Sequence, residues 1–313
     1  MGKNTYRICG IPVLSELLLP GAIQSEPLAS GEDAVLITRA TAPLALTNAT
    51  SSGDRWQASQ TQFLLDVPDI AVFLIEDGER ILYTPTPGAS EHDICVFLLG
   101  TAFGVLLHQR KAMVLHGAAV ADGGQAILLC GRSGAGKSTL AAALCNQGYS
   151  FVADDLCVIT QNKNQPAQVL PDGRQFKLWG QSIDHLNWSD RRGQVVRESF
   201  DKYFLPAPSA VSSAVTIAAI YMLSAEGPGR ERGIHPLSLP DATRALEMES
   251  YRPYFRQLFN SPEAAIRQTT QILAYAPAFM LTRPMGFEFM ESNVEQLRAH
   301  WHSLKRANDS IAG

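Results

Sequence analysis

The fold of this chain is decided by Gly131-Arg132-Ser133-Gly134-Ala135-Gly136-Lys137-Ser138, which fits the pattern G-x-x-x-x-G-K-[ST] at every fixed position. The residues just before it, Gln125 to Cys130, form a short apolar run that is typical of a buried strand. The residues just after it, Thr139 to Asn146, are rich in Ala and Leu and favour a helix. Strand, glycine loop and helix therefore follow one another in the order that a phosphate-binding loop requires.

The glycines of this loop allow consecutive backbone N–H groups to turn inward, where they and the helix N-terminus face a polyphosphate. Lys137 is expected to reach the β- and γ-phosphates of ATP, and the Ser138 hydroxyl to help hold Mg²⁺. The predicted nucleotide-binding residues are Gly131, Ser133, Gly134, Ala135, Gly136, Lys137, Ser138 and Thr139. The alternative is a chance match in a Gly/Ser-rich loop, which would require both flanks to be accidental as well.

Composition excludes several classes of protein. The 313 residues can form one large domain or two ordinary ones, with 46% apolar residues, 18% charged residues and a net charge of −4. No basic block is present, so a nucleic-acid partner is not expected. Five cysteines without C-x-x-C spacing predict reduced thiols of a cytoplasmic protein. The apolar run Ile94 to Leu107 is too short to span a bilayer, so we predict a core helix and no membrane association.

Residues 1 to 110 are predicted to form a smaller β-rich domain that ends in a linking helix. Ser90, followed by the acids Glu91 and Asp93, marks the start of that helix. Strand-like runs lie at 34–38, 63–67, 70–75 and 80–84, whereas 40–60 has no period and is interpreted as a loop. No catalytic constellation is present here, so recognition of a substrate, or assembly, is the expected role.

Residues 111 to 313 are predicted to form an α/β domain around the phosphate loop, ending in a helix that Ser292 and Glu295 would start as a capping box. Its segment 161–208 has a weak pattern and several basic residues, namely Arg174, Lys177, Arg191, Arg192, Arg197 and Lys202. We interpret the segment as a lid in which Lys177 or Arg197 contacts the phosphates. A solvated loop explains it equally well.

Two adjacent acids, Asp154 and Asp155, end the strand that follows the loop helix, where the Mg²⁺-binding acid of phosphate-loop proteins lies. Consecutive strand residues point to opposite faces, so one carboxylate can serve the metal while the other addresses an acceptor hydroxyl. A surface turn is the alternative for an acid pair, but the buried strand before it favours a site. His116 is a third candidate, and a hydrogen-bonded core histidine is an equal alternative for it.

The sequence resembles the catalytic domain of HPr kinase/phosphorylase over about 112 to 160. The resemblance is carried by His116-Gly117, by Gly131 to Ser138, by Gly148 and by Val152-Ala153-Asp154-Asp155. It implies a phosphate-loop kinase core of that family's C-terminal-domain type, and ATP- and Mg²⁺-dependent phosphorylation of a serine in a protein or peptide. It further implies Lys137 on the phosphates, Ser138 and Asp155 at the metal, Asp154 as the base on the acceptor serine, and His116 beside it.

Two departures from the family narrow the expected function. Thr139 stands where the family usually has Glu, and Gln175 to Gly180 replaces the Arg-Gly-Leu-Gly signature of the bifunctional enzymes. These differences argue against phosphorylase activity and against HPr as substrate. The N-terminal part and Lys177-Leu178-Trp179 look more like HPr-kinase-related proteins of lasso-peptide clusters, which implies a precursor peptide with a C-terminal serine as acceptor. Because HPr kinases are hexamers, a homo-oligomer is also expected.

Two other functions stay open from sequence. A nucleotide-binding switch with slow ATPase activity would use the same phosphate loop but would have no acceptor for the paired acids and the histidine. A small-molecule kinase would transfer the phosphoryl group to a metabolite. Labelled ATP separates these functions, because the label ends on a peptide serine, in inorganic phosphate or on a small molecule.

Overall fold

The structure is a computed structural model that describes residues 3–29, 31–46, 48–162, 164–198 and 200–312, with only the backbone for 307–312. Its first sheet is built from β1 (Asn4–Ile8), β2 (Ile11–Ser15), β3 (Val35–Arg39), β4 (Ser51–Gly53), β5 (Trp56–Ala58), β6 (Gln62–Val67), β7 (Ala71–Glu76) and β8 (Arg80–Pro85). The order across the sheet is β1-β2-β3-β8-β7-β6-β5-β4. Strand β3 is parallel to β2 and β8, and the other neighbours are antiparallel.

The β-rich character predicted for the N-terminal part is confirmed, and the predicted strands correspond to β3, β6, β7 and β8. The prediction of a loop over 40–60 is wrong at its end, where β4 and β5 form a hairpin. This hairpin escaped the hydrophobic pattern because β4 is the exposed tripeptide Ser51–Gly53, whose pairing comes from backbone hydrogen bonds rather than from burial.

A buried helical segment follows the first sheet. It consists of α1 (Glu91–Phe97), a π-helical turn (Leu98–Ala102) and α2 (Phe103–Gln109). The predicted cap is confirmed, since the Ser90 hydroxyl accepts a hydrogen bond from the Asp93 N–H at 3.0 Å. Among the described residues, Glu91–Gln109 is long and apolar enough to span a membrane, but 67% of its most apolar window is buried inside the fold. The segment packs on the first sheet as a core helix.

The remaining elements, in chain order, are β9 (Met113–Leu115), β10 (Gly117–Asp122), β11 (Gln125–Cys130), α3 (Lys137–Asn146), β12 (Ser150–Asp154), β13 (Cys157–Thr160), β14 (Gln168–Val169), β15 (Phe176–Trp179), α4 (Gly180–His185), β16 (Val195–Arg197), β17 (Phe200–Leu205), β18 (Val215–Ala225), β19 (Gly233–Pro236), α5 (Leu239–Met248), α6 (Pro253–Phe259), α7 (Pro262–Leu273), β20 (Ala278–Arg283) and α8 (Met290–Ala312). Short 3₁₀ turns lie at Ser189–Arg191 and Phe287–Phe289.

The second sheet runs β12-β10-β11-β18-β14-β13-β9, with β20 between β18 and β19. Strands β11, β18 and β20 are parallel, so their carboxyl ends meet at one edge. Helices α3 and α8 contribute to the core on one face, and α5 and α7 to the core on the other. Burial of both faces explains why the strands read as near-continuous apolar runs. The architecture is therefore α/β, with a phosphate loop at the shared strand edge and a smaller β-rich part before it.

Parts of the second half differ from the sequence-based expectation. The segment 161–208 is not irregular throughout, because it holds β14, the short helix α4 and a small sheet in the order β15-β17-β16. The capping-box prediction is wrong. Helix α8 already begins at Met290, and the Ser292 hydroxyl donates a hydrogen bond to the Phe289 carbonyl at 3.0 Å from within the first turn.

Packing crosses the boundary predicted at residue 110. Leu156, Val158 and Tyr251 belong to the same buried cluster as the strands of the first sheet. Phe255 also packs edge-on against Phe63 of β6, with ring centroids 4.8 Å apart. The division into domains 1–110 and 111–313 stays a prediction.

The five cysteines are buried and free.

Candidate active site

The phosphate loop connects β11 to α3 in a conformation that requires glycine. Gly131 has a φ of 139°, and a Cβ there would lie 2.8 Å from the Leu223 carbonyl oxygen. Gly136 is left-handed with a φ of 78°, and its Cβ would lie 2.9 Å from a guanidinium nitrogen of Arg283. Both positions disfavour a side chain because of their backbone conformation, and Gly131 also excludes one because the obstructing atom belongs to the backbone. The loop thereby brings its backbone and the N-terminus of α3 to the open edge of the sheet.

Lys137 is buried across this loop. Its Nζ donates hydrogen bonds to the carbonyl oxygens of Gly131 at 2.6 Å and of Arg132 at 3.1 Å. Burial lowers the pKa of Lys137, while the nearby carboxylates, with Glu249 foremost, act in the opposite direction. The ammonium group is therefore held by neutral carbonyls at the place where the motif requires a cation for phosphate.

Asp154 closes β12 and faces the phosphate loop. The Ser138 hydroxyl donates a hydrogen bond to Asp154 Oδ1 at 2.6 Å, and the Lys177 N–H lies 3.2 Å from Oδ2. Burial raises the pKa of Asp154, and the Ser138 hydrogen bond opposes that effect. A hydroxyl and a carboxylate are the oxygen ligands that suit Mg²⁺. No group of three or more His, Cys, Asp and Glu side chains that could hold a metal occurs within the described part of the chain.

Asp155 turns away from its neighbour because its backbone is left-handed, with a φ of 78°. Its Oδ1 lies 3.2 Å from His116 Nδ1, and its Oδ2 lies 3.4 Å from Lys177 Nζ. Burial works to raise the pKa of Asp155, but Lys177 and His116 hold it well below its usual range. The carboxylate stays ionised and retains an edge that is open to a further donor.

A buried ion pair supports the acids from behind. Arg174 Nε lies 2.5 Å from Asp172 Oδ1, and both side chains are almost fully buried. Asp172 Oδ2 accepts from the Asp154 N–H at 3.3 Å, and Arg174 donates to the Leu99 carbonyl at 3.0 Å. The pair thus links the acid-bearing strand to the helical segment of the N-terminal part. Sequence alone placed Arg174 only among the basic residues of a loop.

Two cavities meet at the acids. The phosphate cleft, of about 230 Å³, is lined by the phosphate loop, Asp154, Asp155 and the β15 and β17 residues Lys177, Leu178, Trp179 and Lys202. The side cavity, of about 530 Å³, is lined by Val96, Phe97, Gly100 and Thr101 of the helical segment and by the turn 248–253. His116, Ser133, Asp155 and Lys177 line both cavities. A group in one cavity therefore lies next to a group in the other at Asp155.

Most of the predicted site residues come together. The predicted residues that line the phosphate cleft are His116, Ser133, Gly134, Gly136, Lys137, Ser138, Thr139, Asp154, Asp155 and Lys177. Gly131 and Ala135 lie within the loop. The Gly131 carbonyl accepts a hydrogen bond from Lys137, and the Ala135 carbonyl accepts one from Arg283. Arg197 lies elsewhere, with Nε 3.7 Å from Asp93 Oδ1 and its guanidinium over the Phe97 ring. A phosphate contact by Arg197 stays a prediction, and this geometry does not supply it.

Sequence reasoning missed Lys202, Trp179 and Arg283 as residues of this region. Lys202 was counted only as one of the basic residues of a loop, because the pairing that sets it opposite Trp179 on the small sheet was not predicted. Arg283 ends β20 and donates to the Ala135 carbonyl at 2.8 Å. A parallel alignment of β20 with β11 would have pointed to it, since parallel strands bring their carboxyl ends to one site.

Strand, glycine loop, helix and an acid at the end of β12, which β10 separates from the strand before the loop, define a phosphate-loop protein of the α/β class. Residues 108–172 match the family model described as HPr Serine kinase C-terminal domain. The matched segment contains His116, the whole phosphate loop, the acid pair and Asp172. The chain is therefore similar to this domain in the segment that builds the phosphate cleft.

No curated protein matches the chain. Among solved structures, it is similar to the Hpr(Ser) kinase/phosphatase from Coxiella burnetii, with 13% sequence identity and a TM-score of 0.35. That similarity covers 64% of this chain and 96% of the other.

Proposed function

We propose that this protein is an ATP- and Mg²⁺-dependent kinase that phosphorylates a serine of a peptide or protein. The match to the HPr Serine kinase C-terminal domain supports a kinase. The observation that carries the proposal is that adjacent carboxylates meet different partners: Asp154 meets Ser138, and Asp155 meets His116 and Lys177. The partners of Asp155 lie where the side cavity opens, so this second acid would orient an acceptor hydroxyl there, whereas in an ATPase it would orient a water molecule.

The phosphate loop and Lys137 are the proposed holders of the triphosphate. Ser138 and Asp154 would hold Mg²⁺, which when bound neutralises charge on the phosphate oxygens. Lys177 and Lys202 line the same cleft and add positive charge where negative charge collects. The lid hypothesis required a cation next to the phosphates. In this arrangement Lys177 and Lys202 of the small sheet supply it.

The two acids are proposed to exchange the roles that the family resemblance implied. Asp154 is the metal-side acid because it is buried and already accepts the Ser138 hydroxyl. Asp155 is the acceptor-side acid because it lines both cavities and pairs with His116. Its low pKa keeps it ionised, so that it can accept a hydrogen bond from a serine hydroxyl over the whole physiological pH range.

The chemical step follows from these positions. The serine oxygen attacks the γ-phosphorus of ATP, the bond to the β,γ-bridging oxygen breaks, and ADP leaves with that electron pair. The hydroxyl proton passes to the Asp155–His116 pair as the new P–O bond forms. Because phosphoryl transfer proceeds through a loose transition state, alignment of the hydroxyl matters more than the strength of the base.

A precursor peptide with a C-terminal serine is the favoured acceptor in this proposal, and a homo-oligomer the favoured state. Support for a peptide comes from the side cavity, of about 530 Å³, whose lining includes the apolar side chains of Val96, Phe97 and Met248. The cavity opens directly onto Asp155, where an acceptor hydroxyl is needed.

The test is label transfer from γ-³²P-ATP to pools of serine peptides, including peptides that end in serine. The proposal predicts labelled phosphoserine with the wild type and about 10²–10⁴-fold slower labelling with Asp155→Asn, while binding of a fluorescent ATP analogue is unchanged. Label found only in inorganic phosphate would favour an ATPase or switch. Label on a small molecule of a metabolite extract, with none on peptides, would favour a small-molecule kinase.

A further inference from the structure

The side cavity has walls from two distant parts of the chain. One wall is the helical segment at Val96, Phe97, Gly100 and Thr101, where α1 passes into the π-helical turn. The other wall is the turn 248–253 between α5 and α6. One end of the cavity is formed by His116, Asp155 and Lys177. A π-helical turn inside a helix frequently marks a functional site, and here it borders the cavity.

The turn 248–253 is fastened to the strand that leads to His116. The His116 N–H donates to the Glu249 carbonyl at 2.8 Å, and the Tyr251 N–H donates to the Val114 carbonyl at 2.8 Å. Buried His108 hydrogen-bonds the Tyr251 carbonyl through Nε2 at 2.7 Å. The Tyr251 ring lies against Gly104, where a Cβ would come within 2.5 Å of it. The wall is thus preformed and its position relative to His116 is fixed.

Arg252 lies on this wall, and its side-chain contacts within the described part of the chain are with the uncharged residues Thr101 and Tyr251. Its backbone is left-handed, with a φ of 48°, a conformation that is uncommon for arginine. Its Nη2 donates to the Thr101 hydroxyl at 3.1 Å, and its guanidinium lies 5.8 Å from the centroid of the Tyr251 ring. Among the residues that the structure describes, no carboxylate oxygen lies within 4.0 Å of this guanidinium. Arg252 is exposed, so its free donors face solvent.

Three other charged groups of the cavity are already engaged, since Asp155, Lys177 and His116 contact one another at the phosphate end. Glu249 also lines the cavity, and its charge opposes the effect of burial on the pKa of Lys137 in the adjoining phosphate cleft. The cation that is left over is Arg252, next to Thr101 of the helical wall. A guanidinium with free parallel donors is the group that best recognises a carboxylate.

We propose that the side cavity is the acceptor-peptide site and that Arg252 pairs there with a carboxylate of the peptide close to the reacting serine. The inference rests on the proposed kinase function, because it assigns that enzyme's acceptor subsite. Val96, Phe97 and Met248 supply apolar contacts on either side, which favour a peptide segment over a small polar metabolite. The carboxylate belongs either to an Asp or Glu side chain or to the end of the chain.

The experiment is a positional scan with serine peptides and labelled ATP. Each position around the serine carries Asp, Asn or Lys in turn, and a second series ends in serine as the free acid or as the amide. For the wild type we expect kcat/KM about ten- to hundredfold higher for the acid at one position, or for the free terminus, as for a charged hydrogen bond. The position that responds identifies the source of the carboxylate.

The variants assign that preference to one residue. Arg252→Ala is expected to remove the acid preference and Arg252→Glu to replace it by a preference for Lys, while binding of a fluorescent ATP analogue is unchanged in both. Arg267→Ala is the matched control, since Arg267 is an exposed arginine on α7 outside both cavities. If Arg252→Ala is poorly folded by circular dichroism, Arg252→Gln is measured in its place.

The outcomes separate this inference from the function on which it rests. If the wild type labels no peptide pool, the kinase proposal fails and the acceptor subsite fails with it. If the wild type labels peptides without an acid preference, or if Arg252→Ala retains that preference, the Arg252 inference is overturned and the kinase proposal stands.

Discussion

The phosphate cleft and the side cavity meet at Asp155 but are encoded in different ways. Most of the cleft comes from one short stretch of chain, 131–139, together with the acid pair that follows it. The side cavity is assembled from 96–101 and 248–253, which the fold joins through contacts such as Arg252 with Thr101. The residues of the phosphate cleft are therefore encoded mainly by one short stretch of sequence. The surface that would select an acceptor depends instead on tertiary packing.

The largest expected effect is that of Asp155→Asn, which acts where the two cavities join. We expect phosphoryl transfer to a serine peptide to fall by about 10²–10⁴-fold, because the acceptor hydroxyl loses its charged partner. Single-turnover label transfer measures this, and affinity for the ATP analogue serves as the control. A loss below about tenfold would mean that Asp155 is not the acceptor-side acid.

Arg174→Met tests whether the two regions are held together by the buried pair with Asp172. Removal of one partner leaves a buried charge and is expected to lower the free energy of unfolding by about 3–5 kcal/mol. Urea denaturation measures this change. Arg7→Ala is the matched control, because Arg7 pairs with Glu32 at the surface and should cost at most about 1 kcal/mol. Equal effects of the two variants would contradict the account.

The pH dependence of stability tests the burial of His108, whose hydrogen bond to the Tyr251 carbonyl holds the turn that lines the side cavity. Burial lowers the pKa of His108 to about 4 from an ordinary value of 6.5. Between these values the unfolded chain binds more protons than the folded one, so stability falls as pH decreases from 6.5 to 4 and levels off below. His108→Gln can keep a donor to Tyr251 but does not titrate, so it should flatten this part of the curve by about 3 kcal/mol. Urea unfolding as a function of pH measures it, and an unchanged slope would refute the assignment.

Ser138→Ala is expected to have the smallest effect, and it is confined to the phosphate side. The variant should raise the Mg²⁺ concentration needed for tight binding of the ATP analogue by about ten- to hundredfold, as loss of a ligand or its support does. Titration with Mg²⁺ at fixed analogue concentration measures this shift. Thr139→Ser is a conservative neighbouring control, since it keeps a hydroxyl for the contact with Ser182. If Ser138→Ala changed the peptide preference instead, the phosphate cleft and the side cavity would not act separately, which would contradict the account.

The sequence was informative where a function is carried by consecutive residues. Strand, loop and helix around Lys137, and the acid pair after β12, follow from motif spacing and apolar runs. The relation between His116 and Asp155 could be suspected because both were expected near the loop. The sequence also predicts that Asp154 and Asp155 serve different partners, but which acid meets which partner could not be predicted, because it depends on the left-handed backbone of Asp155.

The rest depends on contacts between residues far apart in the chain. The small sheet that brings Lys177 and Lys202 to the cleft has short strands with mixed burial, so no period marked it. Helix α6 and the turn before it contain no recognisable sequence motif. The position of Arg252 depends instead on hydrogen bonds that its neighbours make to α2 and β9. A pattern read along the chain contains no information on such pairings.

The most direct test of the central claim, that the two acids divide the metal side from the acceptor side, is a crystal structure with Mg²⁺ and a non-hydrolysable ATP analogue. The account predicts Mg²⁺ bound by the Ser138 hydroxyl on the Asp154 side of the cleft, with Asp155 still paired to His116 and open to the side cavity. Mg²⁺ bound by Asp155, with Asp154 released toward the side cavity, would contradict it.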